Sequence, residues 1–129
     1  MLAGRKILIA DDNRLNQKIL SFVLIKNGAT VVTANNGLEA IEIIKAEVFD
    51  IVIMDLQMPE MGGLEASNYI KNVLCSPIPI IGLTANTLDR DNIICLEAGM
   101  ETCISKPFDP VELCKIIEEI IQNQEKTCQ

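Results

Sequence analysis

The strongest constraint in this chain is a regular alternation of two kinds of segment. Five short apolar runs recur along it: Lys6–Ala10 (KILIA), Thr30–Ala34 (TVVTA), Ile51–Met54 (IVIM), Ile78–Thr84 (IPIIGLT) and Glu101–Ser105 (ETCIS). Each has strand length, and several are rich in β-branched residues. KILIA, IVIM and IIGL are continuous rather than alternating, which suits strands covered by helices on both faces. The stretches between them carry helical periodicity: Asn13–Lys26, Gly37–Lys45, Gly63–Val73 and Asp89–Ala98. Asn27-Gly28 and Gly99 are helix stop signals, and Asn36 with Glu39 three residues on is a start signal. The last helix opens on Asp109-Pro110-Val111-Glu112 and is expected to run to about Gln122, before a polar tail ending at Gln129.

Five β-α units in a row imply an α/β protein with a parallel sheet and helices on both faces. The expected form is a flavodoxin-like doubly wound (βα)5 fold of strand order 2-1-3-4-5. In such folds the ligand site lies at the carboxyl ends of strands 1 and 3, where the winding reverses. The 129 residues fit one domain, 1–129, with its core over about 6–121. Aromatics are only 3% of the chain, so that core must be aliphatic.

Composition removes several function classes. The net charge of −7 disfavours direct binding of nucleic acid. The chain has no histidine, which excludes a Ser-His-Asp triad and a histidine phospho-carrier. Its five cysteines show no C-x-x-C spacing, so a zinc site is not expected and they read as reduced and cytoplasmic. No apolar run is long enough to span a membrane, and contact with a membrane is not expected.

The residues at the expected carboxyl ends form a set. Asp11 and Asp12 follow the first run, Asp55 the third, Thr84 ends the fourth, and Ser105, Lys106 and Pro107 close the fifth. Singly, each has an ordinary explanation. An acid pair opening a helix complements its dipole, an aspartate closing a strand is often a turn residue, and a lysine before proline is usually solvated. Together they place three carboxylates, a hydroxyl and an ammonium on one crevice. Carboxylates so close repel one another unless a cation joins them. Oxygen-only ligation suits Mg2+, with Mn2+ the alternative. Lys106 and Thr84 supply the charge and hydroxyl to stabilise a phosphoryl group, and Asp55 is the natural nucleophile.

The stretches "ILIADDN", "IVIMDLQMPEMGG", "IIGLTAN" and "ISKPF" resemble, in content and order, the receiver domains of two-component response regulators. The likeness extends from about Lys6 to Ile121. The wording "DDNRLNQ", "LTAN" and "SKPF" is most similar to receiver modules of hybrid sensor histidine kinases. The resemblance implies a phosphorelay switch in which Asp55 accepts a phosphoryl group from phospho-histidine and passes it on or hydrolyses it. It implies that Asp12 binds Mg2+ directly, Asp11 through water or weakly, and the backbone carbonyl of Gln57 completes the set. Lys106 would pair with Asp55 and then with the phosphoryl group. Thr84 would bond a phosphoryl oxygen, with Ala85 beside it, and Pro107 would follow a cis peptide bond. Gln57 and Asn86 would tune phosphoryl lifetime.

The implied partners are a histidine kinase, a histidine phosphotransfer domain, or both, and the module itself is expected to be a monomer. It would be cytoplasmic, as a detached protein or as the cytosolic part of a membrane-bound sensor kinase. Asn13, Asn16 and Ile19 on the first helix, extended by Pro107 and Phe108, form the expected docking patch. Two departures stand out. Cys103 occupies the switch position, where receivers usually carry Tyr or Phe, which puts the aromatic readout in doubt. Met61-Gly62-Gly63 replaces the commoner Met-Asp-Gly and suggests a looser start to the third helix. The alternative function is a small Mg2+-dependent phosphohydrolase with an aspartate nucleophile. Such enzymes place an acid two residues after the nucleophile, where this chain has Gln57.

Overall fold

The computed structural model describes residues 2–56, 58–84, 89–105 and 109–127. Five units alternate as expected: β1 Lys6–Ala10, α1 Arg14–Lys26, β2 Thr30–Ala34, α2 Gly37–Ala46, β3 Ile51–Asp55, α3 Gly63–Asn72, β4 Ile80–Thr84, α4 Asp89–Glu97, β5 Thr102–Ser105 and α5 Pro110–Thr127. The strands form one parallel sheet in the order β2-β1-β3-β4-β5.

The period of two along each strand sorts the core into two layers. Ile7 and Ile9 of β1, Ile51 and Ile53 of β3, and Ile81 and Leu83 of β4 pack with Leu20 and Leu24 of α1 and Leu113 and Ile117 of α5. Leu8 and Ala10, Val52 and Met54, and Ile80 point the other way. They meet Ala40 and Ile41 of α2, Ala66 and Ile70 of α3, and Cys95 and Met100 beyond them. Two covered faces explain why β1, β3 and β4 read as unbroken apolar runs.

Local signals act where they stand. Asn36 Oδ1 accepts the Glu39 N–H at 2.9 Å and starts α2. Asp109 Oδ1 accepts the Val111 N–H at 2.9 Å at the head of α5. Gly28 and Gly99 take φ of +99° and +89° after α1 and α4. Two boundaries differ from expectation by two residues or more, the others by one at most. β4 begins at Ile80 rather than Ile78, because Pro79 has no N–H for the ladder, although its carbonyl accepts from Val52 at 3.0 Å. α5 continues to Thr127 rather than stopping near Gln122. Its end is polar but made mostly of good helix formers, and the buried Ile121 anchors it to the core.

The start of α3 is tied rather than loose. Gly63 N–H donates to Leu56 O at 3.0 Å, and Gly37 N–H of α2 donates to Met61 O at 2.9 Å. A Cβ on Gly63 would lie 2.2 Å from the Asp55 carbonyl oxygen, and one on Gly62 would lie 2.8 Å from that of Leu56. The glycine pair therefore serves close approach of α3 to the end of β3. Gly63→Ala should destabilise the protein by about 1–3 kcal/mol, the usual range for an overpacked site. The urea midpoint of unfolding should fall accordingly, and an unchanged midpoint would show that the α3 start yields without cost.

Candidate functional site: an acidic rim at the sheet's carboxyl edge

The β1–β3 register ends at Ala10↔Met54, and one further step brings Asp11 opposite Asp55. Asp55 is the last residue of β3 and is in register with Leu83, so Thr84 follows it on the next strand along the same rim. Thr84 in turn pairs with Ser105 at the end of β5. Carboxylate oxygens of Asp11, Asp12 and Asp55 all lie within 4.8 Å of one another. Asp11 is fully buried, Asp55 and Thr84 are nearly so, and Asp12 is exposed.

The connection from β1 to α1 is held by a series of polar bonds. Asp11 N–H donates to Ala34 O at 3.1 Å, at the end of the neighbouring β2. Asp11 Oδ1 accepts the Asn13 N–H at 2.9 Å. Asn13 Oδ1 caps α1 by accepting from Leu15 and Asn16 at 2.9 and 3.2 Å. A residue not assigned from the sequence completes the set. Gln17, buried on α1, donates from its side-chain amide to Asp11 O, to Asn35 Oδ1 at 3.0 Å and to Ala34 O at 3.3 Å. The signal for it was present: Gln17 stands in the same helical stripe as buried Leu20 and Leu24.

The donor set fits a hard divalent cation. Opposite ligands of an octahedral Mg2+ at ~2.1 Å stand about 4.2 Å apart. Three oxygens within 4.8 Å need only a small rotamer adjustment, or one water between an acid and the ion, to share it. Two of the three acids are buried side by side, an arrangement that a shared positive charge stabilises. The carboxylates that could hold the ion are thus Asp11, Asp12 and Asp55. Gln57, Ala85, Asn86, Lys106, Pro107 and Phe108, also named from the sequence, lie outside the described residues.

Cys103 lies where the sequence places it, in register with Gly82 of β4 and partly buried. The space that a side chain on Gly82 would take is filled by others. Met100 Sδ, Leu56 Cδ2 and Cys95 Sγ lie 2.7, 3.1 and 3.3 Å from the position of its missing Cβ. The missing side chain of Gly82 is thus compensated by neighbours from α4, the turn after it and the β3 end. None of the described cysteines is in a disulfide, and burial raises the pKa of the Cys114 thiol, as befits an apolar filler.

A doubly wound sheet with an acidic cluster at its winding reversal is the arrangement that the sequence led one to expect, and comparison with known proteins gives the family. The family model described as response regulator receiver domain matches residues 7–118. The chain belongs to that family and is a receiver domain of the two-component phosphorelay type. It is 39% identical to hybrid signal transduction histidine kinase K of Dictyostelium discoideum over 129 aligned residues, covering 94% of this chain and 11% of that protein. The chain thus spans about a tenth of that relative's length.

Two solved structures are informative about the site. The receiver domain of sensor histidine kinase PA1611 from Pseudomonas aeruginosa, with magnesium coordinated in its active-site cleft, is 33% identical with a TM-score of 0.83, over 93% of this chain and 99% of that one. The receiver domain of Ssk1 from Saccharomyces cerevisiae, in co-crystal with the histidine phosphotransfer protein Ypd1, is 31% identical with a TM-score of 0.87, over 92% and 90%.

Asp11→Asn keeps the oxygen that accepts from Asn13 while removing a charge from the cluster. The metal-free variant should be at least as stable as the wild type. Its response to Mg2+ should be smaller than that of the wild type, which should gain about 2.7 kcal/mol at a hundred times its Kd. Thermal melts with and without Mg2+ measure both, and a variant that retains the full Mg2+ shift would remove Asp11 from the ligand set.

Proposed function

We propose that this receiver takes a phosphoryl group from phospho-histidine onto Asp55 in a Mg2+-dependent step and then transfers or hydrolyses it. The observation that carries this reading is the meeting of Asp11, Asp12 and Asp55 within 4.8 Å at the carboxyl ends of β1 and β3. A carboxylate oxygen of Asp55 attacks phosphorus, and the P–N bond to the donor imidazole breaks, its electron pair returning to the ring nitrogen. A new P–O bond completes the acyl phosphate. Water attacking the same phosphorus later releases the carboxylate and inorganic phosphate.

Asp12 would ligate the ion directly, Asp11 through water or weakly, with the Gln57 carbonyl as a further ligand; Mn2+ would substitute for Mg2+. A bound ion supplies positive charge among the acids and the incoming phosphoryl oxygens. Thr84, the backbone beside Ala85, and Lys106 would receive those oxygens. Thr84 and Cys103 would mark the switch position, and Pro107 the cis-peptide turn. Holding Asp55 as the last residue of a fully buried strand keeps the nucleophile in line with its acceptor geometry.

The partner would be a histidine kinase or a histidine phosphotransfer domain, and the chain would work as one monomeric receiver module in the cytoplasm, within or beside a hybrid kinase. No described helix is long and apolar enough to cross a membrane. The docking face would lie on α1, where Leu15, Ile19 and Phe22 are exposed at 64%, 43% and 69%. They follow one another at helical spacing from beside the acidic rim. Asn16 borders them, and Pro107 and Phe108 would extend the patch. Asn13 has its carbonyl committed to the α1 cap, so it would offer a partner its NH2 group.

Incubation with acetyl phosphate and Mg2+ should add one phosphoryl group, labile to hydroxylamine, to Asp55 and none to Asp55→Asn, read by mass spectrometry. Labelling elsewhere, or none, would refute the assignment. Ile19→Ala should slow transfer from a phospho-histidine donor by roughly tenfold, the effect of losing about 1.4 kcal/mol of contact. Acetyl phosphate labelling should persist. Equal loss of both would place Ile19 in the fold rather than the docking face.

A further inference from the structure

We infer that Gln17 is a positioning residue for the cation site, acting through the peptide that joins Asp11 to Asp12. The inference rests on the metal-binding reading above. Gln17 lies on the face of α1 that packs on the sheet, in line with Leu20 and Leu24. An aliphatic residue there would lengthen the apolar stripe. The chain instead buries a primary amide, and that amide bonds to the rim: to Asp11 O, Ala34 O and Asn35 Oδ1. Two N–H groups are shared among three oxygens that belong to the ends of β1 and β2.

The location of the bond to Asp11 decides its consequence. Residues 11–13 lie between β1 and α1 and have no regular ladder of their own. Asp11 N–H is held by Ala34 and Asp11 Oδ1 by the Asn13 backbone. Gln17 takes the remaining handle, the carbonyl. A peptide unit is planar, so fixing the Asp11 carbonyl also fixes the Asp12 N–H and the direction in which the chain leaves towards the Asp12 Cα. Asp12 is exposed, and its aim into the cluster depends on that plane. Without the clamp the peptide can rotate, carrying the Asp12 carboxylate away from Asp11 and Asp55. Outer-shell groups of this kind commonly change metal affinity by 10–100-fold.

The experiment compares Mg2+ affinity with fold stability, using backbone amide shifts of the 15N-labelled chain. Gln17→Met keeps the volume and removes the donors. Leu24→Ala, in the same stripe two turns further along, serves as a destabilised control. Gln17→Met should raise the Mg2+ Kd about tenfold or more, while Leu24→Ala leaves it within about twofold despite a lower melting temperature. In the metal-free protein, Gln17→Met should also speed hydrogen exchange at Asn13 by about tenfold, while the β3 amides stay protected. A Gln17→Met protein that binds Mg2+ as tightly as the wild type, or weakens no more than Leu24→Ala, overturns the positioning role. Absence of saturable Mg2+ binding by the wild type overturns the metal site itself, and this inference with it.

Discussion

The architecture depends on holding like charges together. Asp11 and Asp55 are buried and adjacent, with Asp12 close by, and carboxylates in that position repel. Repulsion alone would drive them apart. What prevents separation is the sheet beneath them. β1 and β3 are neighbours, each carries a continuous row of buried aliphatic side chains, and each row is packed on both faces. Burying one large side chain of this kind contributes about 1.5–3 kcal/mol, and the two strands together bury seven of them besides Ala10. Packing on both faces holds the two strands in register, and the acids stay together.

The two faces contribute differently to the rim. On one, α1 and α5 pack over the isoleucines of β1 and β3, and α1 brings Gln17 and the Asn13 cap to the acid pair. On the other, α2 and α3 press against the loop that leaves β3. Gly37, Gly62 and Gly63 let backbone meet backbone there at distances a side chain would forbid. Asp55 is thus restrained from before by its strand and from after by the contact of α3 with its own carbonyl. Elements from both layers thus converge on a three-residue loop and one strand end.

Most of this was legible in the residue pattern. The strand order and the convergence of Asp11, Asp12, Asp55 and Thr84 follow from the alternation of periodicities, because burial on both faces writes itself into unbroken runs such as IVIM. Element ends were less legible where two causes compete. Pro79 trims β4, while the buried Ile121 and a helix-compatible tail lengthen α5. The surplus of apolar residues on α1 could not be divided by periodicity alone; Leu20 and Leu24 go inside while Leu15, Ile19, Phe22 and Ile25 remain exposed. Gln17 was missed because a polar residue in an apolar stripe looks like a defect until its partners are seen.

The substitution at Cys103 follows the same packing logic as the rest of the sheet. A strand position can shrink without loss only if neighbours expand to fill it. Cys103 is paired with Gly82, so two small residues face each other across β4 and β5. Met100, Cys95 and Leu56 occupy the space over Gly82, and each comes from a different segment: the turn after α4, α4 itself and the end of β3. Thioether and thiol groups suit this filling because they are adaptable and polarizable. Leu56 is also the residue whose N–H donates to Leu83 and whose carbonyl receives Gly63, immediately after Asp55. The packing around Gly82 therefore adjoins the end of β3, next to Asp55.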